Sequence, residues 1–321
     1  MNIVVTGVGA VIGLGIIKSL RLCPEAVTII GVDRNANAFG RRRCDHFVQK
    51  PAGEEGSEYL SYWHRLIETH AVDMVIPGIE PDVFFFDAHR PEFDSNPAKI
   101  VLNSAELIRL GKDKWATVER LRAAGIDAIP TRISGSWEEC AAELGPAPLL
   151  MKPRHGSGGI GMALLQDKTD FDYWRAKAPE NFMVQRVVGS DDQEYTVSVF
   201  GYGDGRATRA AILRRTLGPV GATWWAETVA SCPPIEQMTQ TLTRLLQPEG
   251  PTNYQFRLEG DKAFLLEINP RISASTSLRA HLGVNESRMC IEHYLLHREL
   301  GAASLRPGQA WRFIEDEVDI Q

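Results

Sequence analysis

Apolar residues come in short blocks along this chain, and the polar and glycine positions between them define its elements. Ile3-Val4-Val5 is an apolar run too short for a helix and is followed by Gly7 and Gly9, so it reads as a buried strand ending in a turn. Val11 to Leu22 reads as a helix, and Val27 to Val32, closed by Asp33, as a second strand. Tyr59 to Ala71 predicts a helix, and Val72 to Ile76 another strand. Pro77-Gly78-Ile79-Glu80-Pro81-Asp82 then forms a loop at that strand's carboxyl end. Ile100 to Asn103 closes the layer. Strands alternating with helices predict a parallel sheet, here a Rossmann-like α/β domain over residues 1–110.

Beyond residue 110 the pattern changes. Trp115 to Ala124 and Trp137 to Leu144 are helical, each ended by a glycine. Pro148 to Pro153 is a strand, followed by Arg154-His155-Gly156-Ser157-Gly158-Gly159-Ile160-Gly161 and the apolar run Met162 to Leu165. Phe182 to Val188, Tyr195 to Tyr202 and the run ending at Arg215 are further strands. Ile235 to Leu246 is an amphipathic helix, and Met289 to Leu300 a packing helix. Asn253-Tyr254-Gln255 and the run Ala263 to Leu266 are joined through Glu259-Gly260-Asp261-Lys262, which predicts a hairpin. The fold class is therefore α/β, turning to α+β in the second half. The expected divisions are 1–110, 111–186 and 187–321.

Composition narrows the partners. The chain has 321 residues, 44% of them hydrophobic and 24% charged, which is ordinary for a globular protein. A net charge of −6 gives no basic footprint for nucleic acid. No charged segment precedes the first strand, and no uncharged run has the length to span a bilayer, so neither a signal peptide nor a membrane partner is expected. Five scattered cysteines show neither metal spacing nor a disulfide framework, as expected for a cytoplasmic protein.

Several stretches carry candidate chemistry. Alternation puts Glu267 and Asn269 on one strand face, both oxygen ligands of the kind Mg2+ takes, and Gln255 on the neighbouring run offers a third. Arg271 follows to handle anionic charge. Lys152 precedes a loop with four glycines in six residues, which lets backbone N–H groups approach a polyphosphate without a Cβ in the way. A hairpin of glycines with no ligand is the plainer alternative. Gln185 to Val188, followed by Glu194, suits a nucleoside, with backbone groups for the base and a carboxylate for ribose hydroxyls; a solvated turn is the alternative. Arg214 and Arg215, before a glycine loop and two tryptophans, are candidates for holding an acceptor carboxylate. Glu80 and Asp82, at a strand's carboxyl end, are candidate substrate contacts. Ser275, just past the metal pair, is another, with Arg279 beyond it.

In their order along the chain these features resemble the ATP-grasp superfamily, most closely the branch similar to the carbamoyl-phosphate synthase large subunit. The resemblance covers about residues 1–290. It implies that Lys114 and Lys152 hold ATP phosphates and that Gly156, Ser157, Gly158 and Gly159 belong to a lid over them. It implies that Gln185, Arg186, Val187 and Val188 contact adenine and that Glu194 contacts ribose. Gln255, Glu267 and Asn269 would hold two Mg2+ ions, with Mn2+ a possible substitute, and Arg271 would stand beside the γ-phosphate. Lys152, Asn269 and Arg271 are the expected catalytic set. The implied chemistry is activation of a carboxylate by ATP, then attack by an amine or ammonia. The substrates would be a small amino acid or a sugar acid, in surface-polysaccharide or secondary-metabolite synthesis, and a homodimer is the default assembly.

The chain is far shorter than that large subunit, so a stand-alone ligase is expected. Two other readings compete with it. One is an NAD(P)-dependent oxidoreductase or epimerase using the N-terminal glycine turn, although Ile12 stands where G-x-G-x-x-G has its third glycine. The other is a regulatory nucleotide-binding protein with a decayed site.

Overall fold

The buried runs assemble into three sheets. The computed structural model describes residues 1–53, 56–156, 159–218, 221–302, 304–316 and 318. The first sheet contains β1 (Asn2–Thr6), β2 (Thr28–Asp33), β3 (His46–Gln49), β4 (Met74–Ile76) and β5 (Lys99–Ile100), in the spatial order β3-β2-β1-β4-β5. All of its pairs are parallel. Helices α1 (Val11–Leu20), α2 (Ser57–Thr69) and α3 (Glu80–Ala88), with the single turn α4 (Arg90–Phe93), cover it. Ile3 and Val5 pack toward α1, while Val4 faces Trp63 and Phe86 on the other side. Both faces of the sheet are therefore covered, which explains why its strands read as continuous apolar runs.

The N-terminal turn is crowded by its own glycines. A Cβ on Gly13 would lie 2.2 Å from the Gly7 carbonyl oxygen, and one on Gly78 would lie 2.2 Å from that of Thr6. Asp33, which ends β2, accepts hydrogen bonds from the backbone N–H groups of Gly9 (2.7 Å) and Asn35 (2.8 Å). The glycines serve close packing, and the acidic residue ties down the turn. This is a physical account of the glycine pattern that needs no dinucleotide.

Helices α5 (Ala105–Lys112) and α6 (Lys114–Ala123) lead to the second sheet. It contains β6 (Thr131–Arg132), β7 (Leu149–Pro153), β8 (Ala163–Leu165) and β9 (Phe182–Arg186), in the order β6-β9-β7-β8, with α7 (Trp137–Leu144) and α8 (Lys168–Lys177) on it. The third sheet contains β10 (Glu194–Tyr202), β11 (Ala211–Leu217), β12 (Thr223–Thr228), β13 (Glu249–Glu259), β14 (Lys262–Asn269) and β15 (Gln309–Trp311). Its order is β14-β13-β10-β11-β12-β15, antiparallel throughout. Helix α9 (Pro233–Leu246) packs Ile235, Leu242 and Leu246 on one face of this sheet, against Val197, Tyr254 and Leu265. Helices α10 (Thr276–His281) and α11 (Glu286–Cys290) lie beyond β14.

Three local expectations change. The loop expected at Glu80 and Asp82 is the first turn of α3, begun by Pro81 at a position where a missing N–H costs nothing. The strand expected through Val188 ends at Arg186, so the peptide groups of Val187 and Val188 leave the ladder. The helix expected over 289–300 is α11 followed by a π turn, Ile291–Leu295. Ser157, Gly158, Pro219, Val220 and Glu317 lie outside the described residues.

Gly13→Ala should lower the unfolding free energy by about 2 kcal/mol or more, because a methyl group has no room beside the Gly7 backbone. Urea denaturation of the two chains measures this. An unchanged midpoint would show that the glycine is not there for packing.

Candidate functional site

The antiparallel register builds the centre of the site. Across the β13–β14 hairpin Gln255 pairs with Glu267 and Asn253 with Asn269, so Gln255, Glu267 and Asn269 share one face. Across β10 and β11, Arg214 pairs with Tyr195, and alternation turns Arg215 to the opposite face, beside Glu194. Gln255, Glu267, Asn269, Glu194 and Arg215 line one cavity of about 800 Å3 between the three sheets. Lys152, Gly159, Gln185 to Val188, Glu80 and Arg271 also line it.

One end of the cavity is apolar. Ile129, Val188 and Phe264 form a buried cluster with Leu266 packed on it, and Leu150, Met162 and Leu164 complete the sleeve. Gln185 is buried and donates to the Thr131 hydroxyl (2.9 Å), so its amide supports the wall. Arg186 pairs with Glu259 (2.9 Å) and lies over the Phe264 ring (5.5 Å), which props the sleeve from outside. This end fits a flat, largely apolar group with a few polar edges.

The middle of the cavity is charged. Glu194 is buried. Its Oε1 accepts from Arg215 (2.9 and 3.2 Å) and its Oε2 from Arg257 (3.0 and 3.1 Å). Arg215 also donates to the Gln255 side-chain amide oxygen (2.9 Å) and to the Thr223 hydroxyl (3.4 Å). Burial lowers the Arg215 pKa, and the Glu194 carboxylate opposes that shift. Lys152 is buried and donates to the Leu266 carbonyl (2.9 Å). Burial pushes its pKa down to about 8, Glu267 pulls it up, and Lys114 adds to the depression.

Glu267 differs from the other cavity carboxylates. Among the described residues no hydrogen bond or ion pair engages its side chain, and the amide nitrogen of Asn269, two residues on, is buried without a partner. A hard divalent cation takes one or two carboxylates, amide oxygens, water and substrate phosphates. One open carboxylate beside an amide oxygen fits that chemistry. Among the described residues no three His, Cys, Asp or Glu side chains converge as an all-protein metal cage would require.

At the far end Arg271 pairs with Glu80 on the first turn of α3 (2.7 Å), which joins the parallel sheet to the end of β14. Ser273 and Ala274 line this end, with Ala10, Val11 and Ile12 at the start of α1.

Some expected residues stand elsewhere. Arg214 does not line the cavity; it pairs with Glu227 (2.6 Å) and lies over Trp225. Ser275 is buried, hydrogen-bonded to Thr223 (2.7 Å), and braces the cavity wall from behind. Asp82 is buried against Lys50 (2.5 Å), where no substrate reaches. Arg279 is fully buried against Glu286 (2.5 Å). Lys114 lies beside a narrow adjoining cavity that also touches Leu266 and Glu267, and its ammonium holds the Gly156 carbonyl. Gly156 is not among the lining residues, whereas Gly159 is. Arg257, absent from the expected set, lines the cavity because it follows Gln255 by two residues on the same strand face.

Comparison with known proteins gives one family model, described as "ATP-grasp in the biosynthetic pathway with Ter operon", which matches residues 178–312. The carbamoyl phosphate synthase large chain of Pseudothermotoga lettingae is 26% identical over 191 residues, 54% of this chain and 17% of that one. The C-terminal section of the Aquifex aeolicus large chain is 22% identical over 235 residues, 66% of this chain and 43% of that section. This chain thus spans about a sixth of the first relative's length. Among solved structures, N5-carboxyaminoimidazole synthetase from Staphylococcus aureus complexed with ADP superposes with a TM-score of 0.74 at 15% identity. The match covers 95% of this chain and 79% of that one. The biotin carboxylase–βγ-ATP complex from Campylobacter jejuni gives 0.73 at 15% identity, covering 96% and 74%.

Lys152 makes the empty protein less stable than it would be with an apolar residue there. The unfolded chain holds that proton up to its ordinary pKa of 10.5, whereas the folded chain releases it from about 8. The cost is full below pH 8 and fades as pH rises toward 10.5. Lys152→Met should therefore stabilise the ligand-free chain at pH 7.5, on the order of 1–3 kcal/mol, and by less at pH 10. Denaturant midpoints of both chains at the two pH values check this; a destabilised Met variant would contradict it.

Proposed function

We propose, for a chain with the ATP-grasp fold and a sequence similar to the carbamoyl phosphate synthase large chain, that it is an ATP- and Mg2+-dependent ligase joining a carboxylate to an amine or ammonia. The observation that carries this reading is the open Glu267 carboxylate beside Asn269, in one cavity with Lys152 and Arg271 at hand and an apolar sleeve alongside. The sleeve from Gln185 to Val188 would take the adenine, through peptide groups that β9 releases beyond Arg186. Lys152, and Lys114 beneath the glycine loop, would hold phosphates. Glu267 and Asn269 would hold Mg2+, which neutralises phosphate charge when bound. The resemblance also implies two ions and possible use of Mn2+.

The acid's carboxylate oxygen would attack the γ-phosphorus in line, ADP would leave, and an acyl-phosphate would form. The nitrogen would then attack its carbonyl carbon, phosphate would leave and the nitrogen would lose a proton. Phosphoryl transfer calls for positioning and charge neutralisation rather than a covalent catalyst, and Lys152 and Arg271 are fixed cations suited to that work. The residues that close the cavity would protect the acyl-phosphate from water.

The expected division of labour is the parallel layer, residues 1–110, for the acid or amine, residues 111–186 for the lid lobe, and residues 187–321 for the metal lobe. Glu80 and Arg215 are the substrate-facing candidates retained with Arg271. The substrates would be small molecules, an amino acid or sugar acid with an amine or ammonia, in a cytoplasmic pathway to surface polysaccharide or a secondary metabolite. A homodimer is the default assembly. Among the described residues no helix is long and apolar enough to cross a membrane.

A phosphate-release screen over paired carboxylic acids and amines tests the reading: release should require ATP, Mg2+, an acid and a nitrogen donor together. Glu267→Gln should lower kcat about a hundredfold or more, the scale on which charge-stabilising groups act, with thermal unfolding unchanged. Wild-type turnover in that variant would sink the metal assignment. Thermal stabilisation by NAD and not by MgATP would favour the oxidoreductase reading.

A further inference from the structure

Resting on that reading, we infer that Arg215 takes the place of a second metal ion, so that the site holds one divalent cation through Glu267 and Asn269, and Gln255 is not a ligand.

The cavity lining contains four carboxylates: Glu80, Asp191, Glu194 and Glu267. Three are already neutralised by arginine. Glu80 pairs with Arg271 (2.7 Å), Asp191 with Arg257 (2.5 Å), and Glu194 with both Arg215 (2.9 Å) and Arg257 (3.0 Å). Only Glu267 stands open among the described residues. Two divalent ions in such sites share carboxylates, and a single open one, with an amide oxygen and phosphates, makes a donor set for one ion.

Gln255 is occupied in a way that opposes a metal. Its side-chain amide oxygen accepts from Arg215 (2.9 Å), whose side chain is 5% exposed. Both nitrogens that bind Glu194 and the one that reaches Thr223 hold this guanidinium in place, and Ser275 holds Thr223 in turn (2.7 Å). A guanidinium keeps its proton and cannot yield to a metal by deprotonation. A divalent ion on the same oxygen would stand beside a fixed positive charge in a site of low dielectric. Turning Arg215 away would strip Glu194 of half its pairing inside the protein. The lining also carries Lys152, Arg215, Arg257 and Arg271 as fixed cations, which reduces the need for a second ion on the phosphates.

Binding of Mn2+, counted by electron paramagnetic resonance in the presence of an equimolar non-hydrolysable ATP analogue, tests this without turnover. The wild-type chain should bind about one ion, and Gln255→Leu should bind it with an affinity within about threefold. Glu267→Gln should weaken it about tenfold or more. Arg215→Met, which frees one Glu194 oxygen and the Gln255 side-chain oxygen while Arg257 still holds the other Glu194 oxygen, should admit a second ion. Two ions on the wild-type chain, or loss of an ion in Gln255→Leu, would overturn the inference; if Arg215→Met fails to fold, the Gln255→Leu comparison decides. No bound manganese on the wild-type chain with the analogue would instead overturn the ligase reading on which the inference rests.

Discussion

The cavity wall depends on one buried ionic network, the Glu194 carboxylate held by Arg215 and Arg257. These three residues come from β10, β11 and β13, three neighbouring strands, so the network crosses the middle of the six-stranded sheet. A buried charge is tolerated only when its oxygens and nitrogens are fully paired. Here both carboxylate oxygens have arginine partners, and the Arg215 guanidinium spreads over Glu194, Gln255 and Thr223. The network orients Gln255 across from Glu267 and leaves Glu267 as the open carboxylate.

A second constraint joins the parts of the molecule. Arg271 ends β14 and pairs with Glu80 on the first turn of α3. The contact places the parallel layer over the far end of the cavity. Gly111, in the last turn of α5, lies so close to Pro270 that a Cβ there would be 2.7 Å from the proline ring. The end of β14 is thus fixed on two sides, by an ion pair and by packing, so Glu267 and Asn269 sit on a strand held firmly at its end.

What could be read from the sequence was local. Alternation along Glu267-Ile268-Asn269 placed those two side chains on one face, and the turn through Gly260-Asp261 joined them to the run of Gln255, but a bulge beside Gln255 shifts the hairpin register by one residue and so brings Gln255 opposite Glu267. Apolar runs ending in glycine located most strands, and the missing third glycine at Ile12 discounted a dinucleotide site. Shorter or irregular elements were harder. Asp82 was expected in a loop as a candidate substrate contact, but it lies inside a helix turn against Lys50, a partner 32 residues away. Arg214 and Arg215 looked equivalent, and only pairing across β11 separates the one that faces the cavity from the one that packs on Trp225.

By itself, the sequence determined which residues have oxygen or cationic side chains and which share a strand face, because side-chain alternation is a property of the backbone alone. It also carried the order of motifs that resembles the ATP-grasp chains. Only the tertiary structure decided which charges meet. Arg215 lies 21 residues from Glu194 and 40 from Gln255, and their contacts exist because β10 lies between β13 and β11. That strand order is set by long-range burial of both sheet faces, for which no short window of sequence holds a signal. It is this arrangement that leaves Glu267 open while its neighbours are paired.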